Sequence, residues 1–480
     1  MRNRKRLLAA LLALGMTFSF AGCGSGDDSA SPANKEEDES FEPTENIEVE
    51  EVSTVDTLPG GEESEILYLG ENDINPTRSN PEKSTEMTLF EQKGGKVNFQ
   101  STSNADRFDN LAAAIASNKD IPDIFKYEWL SFPSQVVKGM YQPIDSIVDF
   151  NDDLWKSAKP TADQFVLGGE HFVAPLGNVA SSMLIYNVDI IEAENLDDPY
   201  ELYLEGEWNW DAWRDIMSQY VSQASGDDIR YGVNGFFRNH VVQQTGKNLV
   251  SYDSESNTFS SNLMDADIEK GQAFLYDLMK NGIILNGWYG NARDCFAENC
   301  LFYAMGEWAY TGKLGPQDGD NWAIVPMPQY TSNPQKITTS DMTAYMWVNG
   351  SKKADAVKVW FECNRIAKTD PQYAQTNKDK FMENNPYWTD EMYDVKMDVV
   401  SDDYLMIFDY AFGVSSTLGD RKQFDGNQCL VDYLYNGSST QDDDGNQPTW
   451  SSVREQYSNV VESELETLNK NIEEYEADRK

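Results

Sequence analysis

Only two histidines, His171 and His240, stand beside 81 acidic residues in this chain of 480. Two carboxylates held about 5–10 Å apart can cleave a glycosidic bond, but no motif here marks such a pair. Neither histidine lies near a GxSxG or HExxH pattern, so serine-triad and zinc-protease chemistry find no support. No GxxxxGK[ST] loop is present to cradle a nucleotide phosphate. The stretch QDDDGNQ resembles half a calcium loop. It lacks the spaced oxygens and final Glu of an EF-hand and reads as a solvated acidic turn. No cofactor is expected. What remains is recognition. The chain holds 12 Trp, 24 Tyr and 22 Phe, so 12% of it is aromatic. Aromatic rings can cover the flat apolar faces of a ligand. Asn, Asp, Glu and Arg satisfy its hydroxyls, because an unpaired polar group in a closed cleft is costly. Glu71 and Asn72, in the loop after the first apolar strand, suit hydroxyls. Phe412 in DYAFGVSS is a candidate ring face. Trp210 and Trp213 fall at helical spacing and are expected in the core.

Composition bounds the partners. With 38 basic residues against 81 acidic ones the net charge is −43. That balance keeps a chain soluble and repels phosphate backbones, which argues against nucleic acid. Cys295, Cys300, Cys363 and Cys429 allow three full pairings, and a local Cys295–Cys300 bridge is one option. No histidine lies near Cys295 and Cys300, which disfavours zinc there. Cys363 shares a helical face with Ala356, Trp360 and Ala367, the setting of a small core hydrophobe.

The elements that must position the candidate residues follow from periodicity. EILYLG and KVNFQS read as strands. RFDNLAAAIASNKD reads as a helix with Phe108, Leu111, Ala112 and Ile115 inward, and PDIFKYEW begins with a strand-like run. Strand, helix and strand at this spacing make a parallel unit. HFVAPLGNVASSMLIYN has two apolar runs about a Gly-Asn turn. EWNWDAWRDIMSQYVSQA is a helix capped by Asn209. DADIEKGQAFLYDLMKNG is another, stopped by Gly282. LFYAMG, WAIVPM and TAYMWVNG read as strands, and ADAVKVWFECNRIA as a helix. A long amphipathic helix from Thr449 ends the chain.

The amino terminus carries Arg2, Arg4, Lys5 and Arg6, then an apolar run too short to span a bilayer. Residues 1–22 are expected to be a signal peptide. Phe20-Ala21-Gly22-Cys23 resembles the bacterial lipoprotein lipobox, with Phe20 where the pattern prefers Leu. That resemblance implies lipidation at Cys23, and more than one acyl chain makes a durable anchor. Residues 23–64, which hold fourteen acids and one base, are expected to be a disordered, self-repelling linker.

From Glu65 onward the order of signatures resembles the extracellular solute-binding proteins of ABC transporters, family 1, in the branch that contains maltose-binding protein. The carriers are TLFEQKGGKVNF, LAAAIASNKDIPDIFKY, GMYQPID, HFVAPLGNVASSMLIYNVDII, FLYDLMKNGII before CLFYAMGEWAY, NWAIVPMPQY, and MWVNGSKKADAVKVWFECNRIA. The resemblance implies an α/β, two-lobed periplasmic-binding-protein-like fold of the class II type. Hinge crossovers join the lobes around a ligand cleft, with 65–178 and 323–370 in lobe 1 and 179–322 and 371–480 in lobe 2. It implies capture of a carbohydrate, an oligosaccharide above all, outside the membrane by a monomer without catalytic activity, and delivery to a membrane permease. It places ligand contacts at Trp308, at Tyr127 and Trp129, at Asn178, and at Phe236, Phe237 and Arg238. A surface glycan-binding or glycan-degrading lipoprotein uncoupled from transport is the alternative, as is capture of a peptide or polyamine. The acidic charge does not favour sugar over polyamine.

Overall fold

The computed structural model describes residue 49 and residues 52–479, apart from 79–80, 180–182, 334, 340, 402, 421–427 and 443. The expected signal peptide and Cys23 lie outside the described residues, as does most of the acidic segment.

Nine strands build two sheets. They are β1 (Glu65–Gly70), β2 (Lys96–Ser101), β3 (Ile124–Lys126), β4 (Ala174–Val179), β5 (Met183–Asn187), β6 (Tyr231–Gly235), β7 (Cys300–Met305), β8 (Trp322–Pro326) and β9 (Asp341–Trp347). The first sheet has the order β2-β1-β3-β9-β4, the second β8-β5-β7-β6. β1 runs parallel to β2 and β3, while β9 is antiparallel to β3 and β4. In the second sheet β7 runs parallel to β6 and antiparallel to β5. The chain crosses between sheets after β4 and again after β8. The strand WAIVP was expected to begin the return to lobe 1 at residue 323. It pairs instead with β5 in the second sheet, Trp322 opposite Asn187, so the return comes after Pro326. An apolar run of five residues fits either sheet, and pairing alone decides its place.

Helices cover both sheets for legible reasons. α1 (Thr85–Gln92) starts at Ser84, whose hydroxyl accepts from Met87 N. α2 (Arg107–Ser117) ends at Asn118 in the left-handed region, φ 52°. α3 (Trp210–Ser222) is capped by Asn209, which accepts from the Asp211 and Ala212 amides, and it buries Trp210 and Trp213 as expected. α4 (Ala354–Thr369) buries Ala356, Trp360, Cys363 and Ala367 on one face. α5 (Asp390–Val399) sends Met392 and Val395 into the core of the second sheet beside Met183 and Ile185. Two short carboxyl-terminal helices, α6 (Ala411–Val414) and α7 (Leu430–Asn436), precede the long α8 (Trp450–Arg479). α8 buries Val453, Val461, Leu465, Leu468 and Ile472 along one stripe. These last helices share one apolar core with Phe125 of the first lobe and Trp213 of the second. Cys295, Cys300, Cys363 and Cys429 are buried, and among the described residues no disulfide joins them. Among the described residues no helix is long and apolar enough to cross a membrane.

Order begins before Glu65, which corrects the linker boundary. Val55 and Leu58 are buried in the cluster that contains Phe90 and Trp360, with Val49 and Val52 packed against it. The Leu58 amide donates to Lys93 O at 2.8 Å, and Gln92 Nε2 donates to Val49 O at 2.8 Å. The segment is a strap laid over the α1–α4 side of the first lobe. Two apolar side chains outweigh the acidic surroundings because their burial gains more than the solvated charges lose. Leu58→Ala is expected to lower stability by about 2 kcal/mol, the low end for a buried leucine. A urea midpoint that falls at unchanged slope would show it.

Candidate functional site

β1, β2 and β3 are parallel, so the loops at their carboxyl ends gather at one edge of the first sheet, where open α/β sheets take ligands. A cavity of about 1120 Å³ opens there. It exceeds the usual small-molecule pocket of roughly 300–1,000 Å³. Gly70 at the end of β1 lines it, as do Glu71 and Asn72 just after, Thr102 and Asn104 after β2, and Tyr127 to Leu130 after β3. Met342 and Thr343 of β9 complete the wall, and Phe412 of α6 closes one side.

The apolar part centres on Trp129, a half-buried ring. Its centroid lies 4.9 Å from that of Phe412 at 42°. It lies 6.2 Å from Phe236 of the second lobe, stacked at 17°. Three rings from three parts of the chain thus meet at one corner. α6 reaches this corner by close backbone approach. A Cβ on Gly413 would lie 1.8 Å from Phe132 O and 2.9 Å from Trp129 O. Only glycine lets the helix seat so deeply against the Trp129 loop.

The polar part centres on Arg107 and Glu128. Arg107 donates a two-pronged pair to the Glu128 carboxylate, through Nε to Oε1 and through Nη2 to Oε2 at 2.7 Å. Nη1 reaches Asn104 Oδ1 at 3.0 Å, and the guanidinium lies 4.8 Å from the Phe108 ring centroid. Burial pushes the Glu128 carboxyl up, against the pull of Arg107. Burial also raises the Tyr68 hydroxyl to about 12, with help from Glu71 and Asp73, so it stays a neutral donor and acceptor. Such a site offers ring faces, fixed charges and neutral hydroxyls within one enclosure. It suits a ligand with apolar faces and many hydroxyls.

The structure brings together five of the ten candidates: Glu71, Asn72, Tyr127, Trp129 and Phe412 line the cavity. Phe236 adjoins it through Trp129. Phe237 does not face it: the ring is fully buried edge-on to Trp213, 5.9 Å away. Gly235 ends β6 with φ 100°, and Phe237 directly precedes the helix Arg238–Gln243. Arg238 is likewise turned into structure. Its Nε donates to Ser439 Oγ at 2.8 Å and its Nη2 to Ser439 O at 3.2 Å. Asn178 lies outside the lining and donates to Val400 O at 3.4 Å. Trp308 also lies outside it, 57% exposed, just past the carboxyl end of β7. β7 is the parallel neighbour of β6, which leads to Phe236, so Trp308 belongs to the facing edge of the second sheet.

Arg107, Glu128 and Tyr68 were not expected in the site. Arg107 and Glu128 are 21 residues apart and meet only once β3 is placed beside α2. In sequence they look like two more charges on a charged chain.

Two lobes, crossovers between sheets and a cavity at the strand ends define a two-lobed ligand-binding receptor. The family of bacterial extracellular solute-binding proteins matches residues 79–363, and this chain belongs to that family. Solved structures of similar fold include an ABC substrate-binding protein of Listeria monocytogenes in complex with cycloalternan. It is 15% identical with a TM-score of 0.55, over 85% of this chain and 98% of that one. A binding protein associated with an ABC transporter of B. animalis subsp. lactis, in complex with β-1,6-galactobiose, is 16% identical with a TM-score of 0.53, over 84% and 98%. A sugar transporter of Rhizobium etli in an open conformation is 14% identical with a TM-score of 0.57, over 85% and 99%. No curated protein sequence matches the chain.

Proposed function

We propose that this protein is a lipid-anchored receptor that captures a carbohydrate, an oligosaccharide above all, and delivers it to an ABC permease. The observation that carries the reading is the pairing of the Trp129 and Phe412 ring faces with a rim of carboxylates, amides and Arg107 in one cavity. Several similar folds hold sugars, which supports the same class here. Cys23 is the proposed lipid attachment, placing the protein on the outer face of the bacterial membrane. The receptor acts as a monomer and does not turn its ligand over.

Closure is the working step. A hinge motion brings the second sheet's edge toward the first. Ligand drives it only by binding the closed form better than the open one. Trp308 is the proposed second face: an exposed ring at the end of β7, it covers the sugar on closing. Trp308→Ala is expected to weaken glycan binding about 10-fold, since one ring contact contributes ~0.5–1.5 kcal/mol beyond its burial. Calorimetric titration of the variant beside the parent checks it.

A thermal-shift screen against oligosaccharides, peptides, amino acids and polyamines tests the class. A ligand at about 100 times its Kd adds ~2.7 kcal/mol. The reading expects one glycan series to raise Tm and to be recovered intact. A response to polyamines or peptides alone would overturn the sugar and keep the receptor. Cleaved glycan would overturn the receptor.

A further inference from the structure

Asp409 lies between the short strand Leu405–Ile407 and α6. Its Oδ1 accepts from the Ala411 amide at 3.0 Å, and its Oδ2 accepts from the Tyr435 hydroxyl. Tyr435, on α7, is 2% exposed. The carboxylate therefore ties the first turn of α6 to α7. α6 in turn carries Phe412 against Trp129 and seats Gly413 on the Trp129–Phe132 loop.

We infer that Asp409 is a positioning residue for the cavity: its negative charge holds α6 in place and so sets the Trp129 ring face, which shifts when that charge is neutralised. The inference rests on the cavity being the ligand site.

The surroundings make neutralisation accessible. Burial pushes the Asp409 carboxyl up to about 6, against the Tyr435 hydroxyl and Ala411 amide, which hold it down. Among the described residues no Lys, Arg or His acts on it. The titratable groups that face it are Tyr435 on α7 and Tyr410 on its own segment. Tyr252, from the strand Val250–Asp253, acts on Tyr410 in turn. All three hydroxyls are raised by burial and stay neutral below pH 8. Gln243 and Asn248 add uncharged groups: Gln243 Nε2 donates to Asn248 Oδ1 at 3.1 Å, and Asn248 Nδ2 donates to Phe408 O at 2.7 Å. The folded pKa lies above the unfolded value of about 3.9, so the folded state holds the extra proton between them. Stability from this group is full below about pH 4 and is lost as pH rises through about 6. Ionised Asp409 costs stability and fixes the ring. Protonated Asp409 relieves the cost and weakens its bonds to Ala411 and Tyr435, which lose their charge assistance.

The test needs no ligand. The protein is labelled with 5-fluorotryptophan, and the Trp129 fluorine resonance is assigned by its absence in Trp129→Phe. In a titration the resonance is expected to move with a midpoint near about 6. Asp409→Asn should remove that step, whereas Glu128→Gln, which removes the raised carboxyl next to Trp129, should leave it in place. Tyr435→Phe should raise the midpoint, because a donor that favours the ionised form is gone. A Trp129 resonance that stays still between about pH 5 and 7 in the parent would overturn the proposal, as would the same titration in Asp409→Asn. If Asp409→Asn does not fold, the Tyr435→Phe midpoint decides: unchanged or lowered contradicts it. A resonance that titrates as described in a protein that binds no glycan would sink the carbohydrate reading and leave this one standing.

Discussion

Trp129→Ala lowers glycan affinity by roughly 30- to 100-fold, about 2–3 kcal/mol, the range of an anchoring aromatic at the centre of a contact surface. The expectation comes from where the ring sits. Trp129 is the only one of the three clustered rings that touches both others, Phe412 at 4.9 Å and Phe236 at 6.2 Å. Its removal takes away the main flat face and leaves Phe412 without its neighbour. Trp129→Phe should recover most of the affinity, since a smaller ring still stacks. The melting temperature should fall little, because the side chain is only half-buried. Calorimetric titration of both variants checks this, and an alanine variant within threefold of the parent would remove Trp129 from the ligand face.

Gly413→Ala is expected to destabilise the fold by about 3 kcal/mol, the upper end of overpacking costs, and to lose ligand binding with it. The cause is local. The added methyl would stand 1.8 Å from Phe132 O and 2.6 Å from its carbonyl carbon. Both are backbone atoms and cannot swing aside as a flexible side chain would. α6 must lift, and Phe412 leaves Trp129 with it. Chemical denaturation gives the stability, and titration with glycan gives the binding. A variant as stable as the parent would contradict this close seating of α6.

Both expectations depend on features of unequal legibility in the sequence. The strands and helices were readable because apolar spacing of two or near 3.6 is imposed by burial on one face. EILYLG, KVNFQS and LFYAM form strands as expected, and Asn209 caps its helix. Glu71 and Asn72 line the cavity because they follow a strand whose carboxyl end opens there, and Trp129, which the family resemblance pointed to, lines it after β3. The strap was hidden by averaging: fourteen acids in the segment 24–64 obscure Val55 and Leu58, whose burial depends on a surface built from α1 and α4. Phe236 and Phe237 are chemically identical, and only the tertiary fold sets one beside Trp129 and the other in the core. Arg107 and Glu128 required the tertiary fold, because side-chain pairing across 21 residues leaves no local pattern.

The most direct test of the central claim is a crystal structure grown with the glycan that gives the largest thermal shift. The account predicts a sugar ring stacked on Trp129 beside Phe412, hydroxyls paired with the Glu71, Asn72 and Glu128 groups, and Trp308 brought across as the lobes close. Sugar bound elsewhere, with the cavity empty and the lobes unmoved, would contradict it.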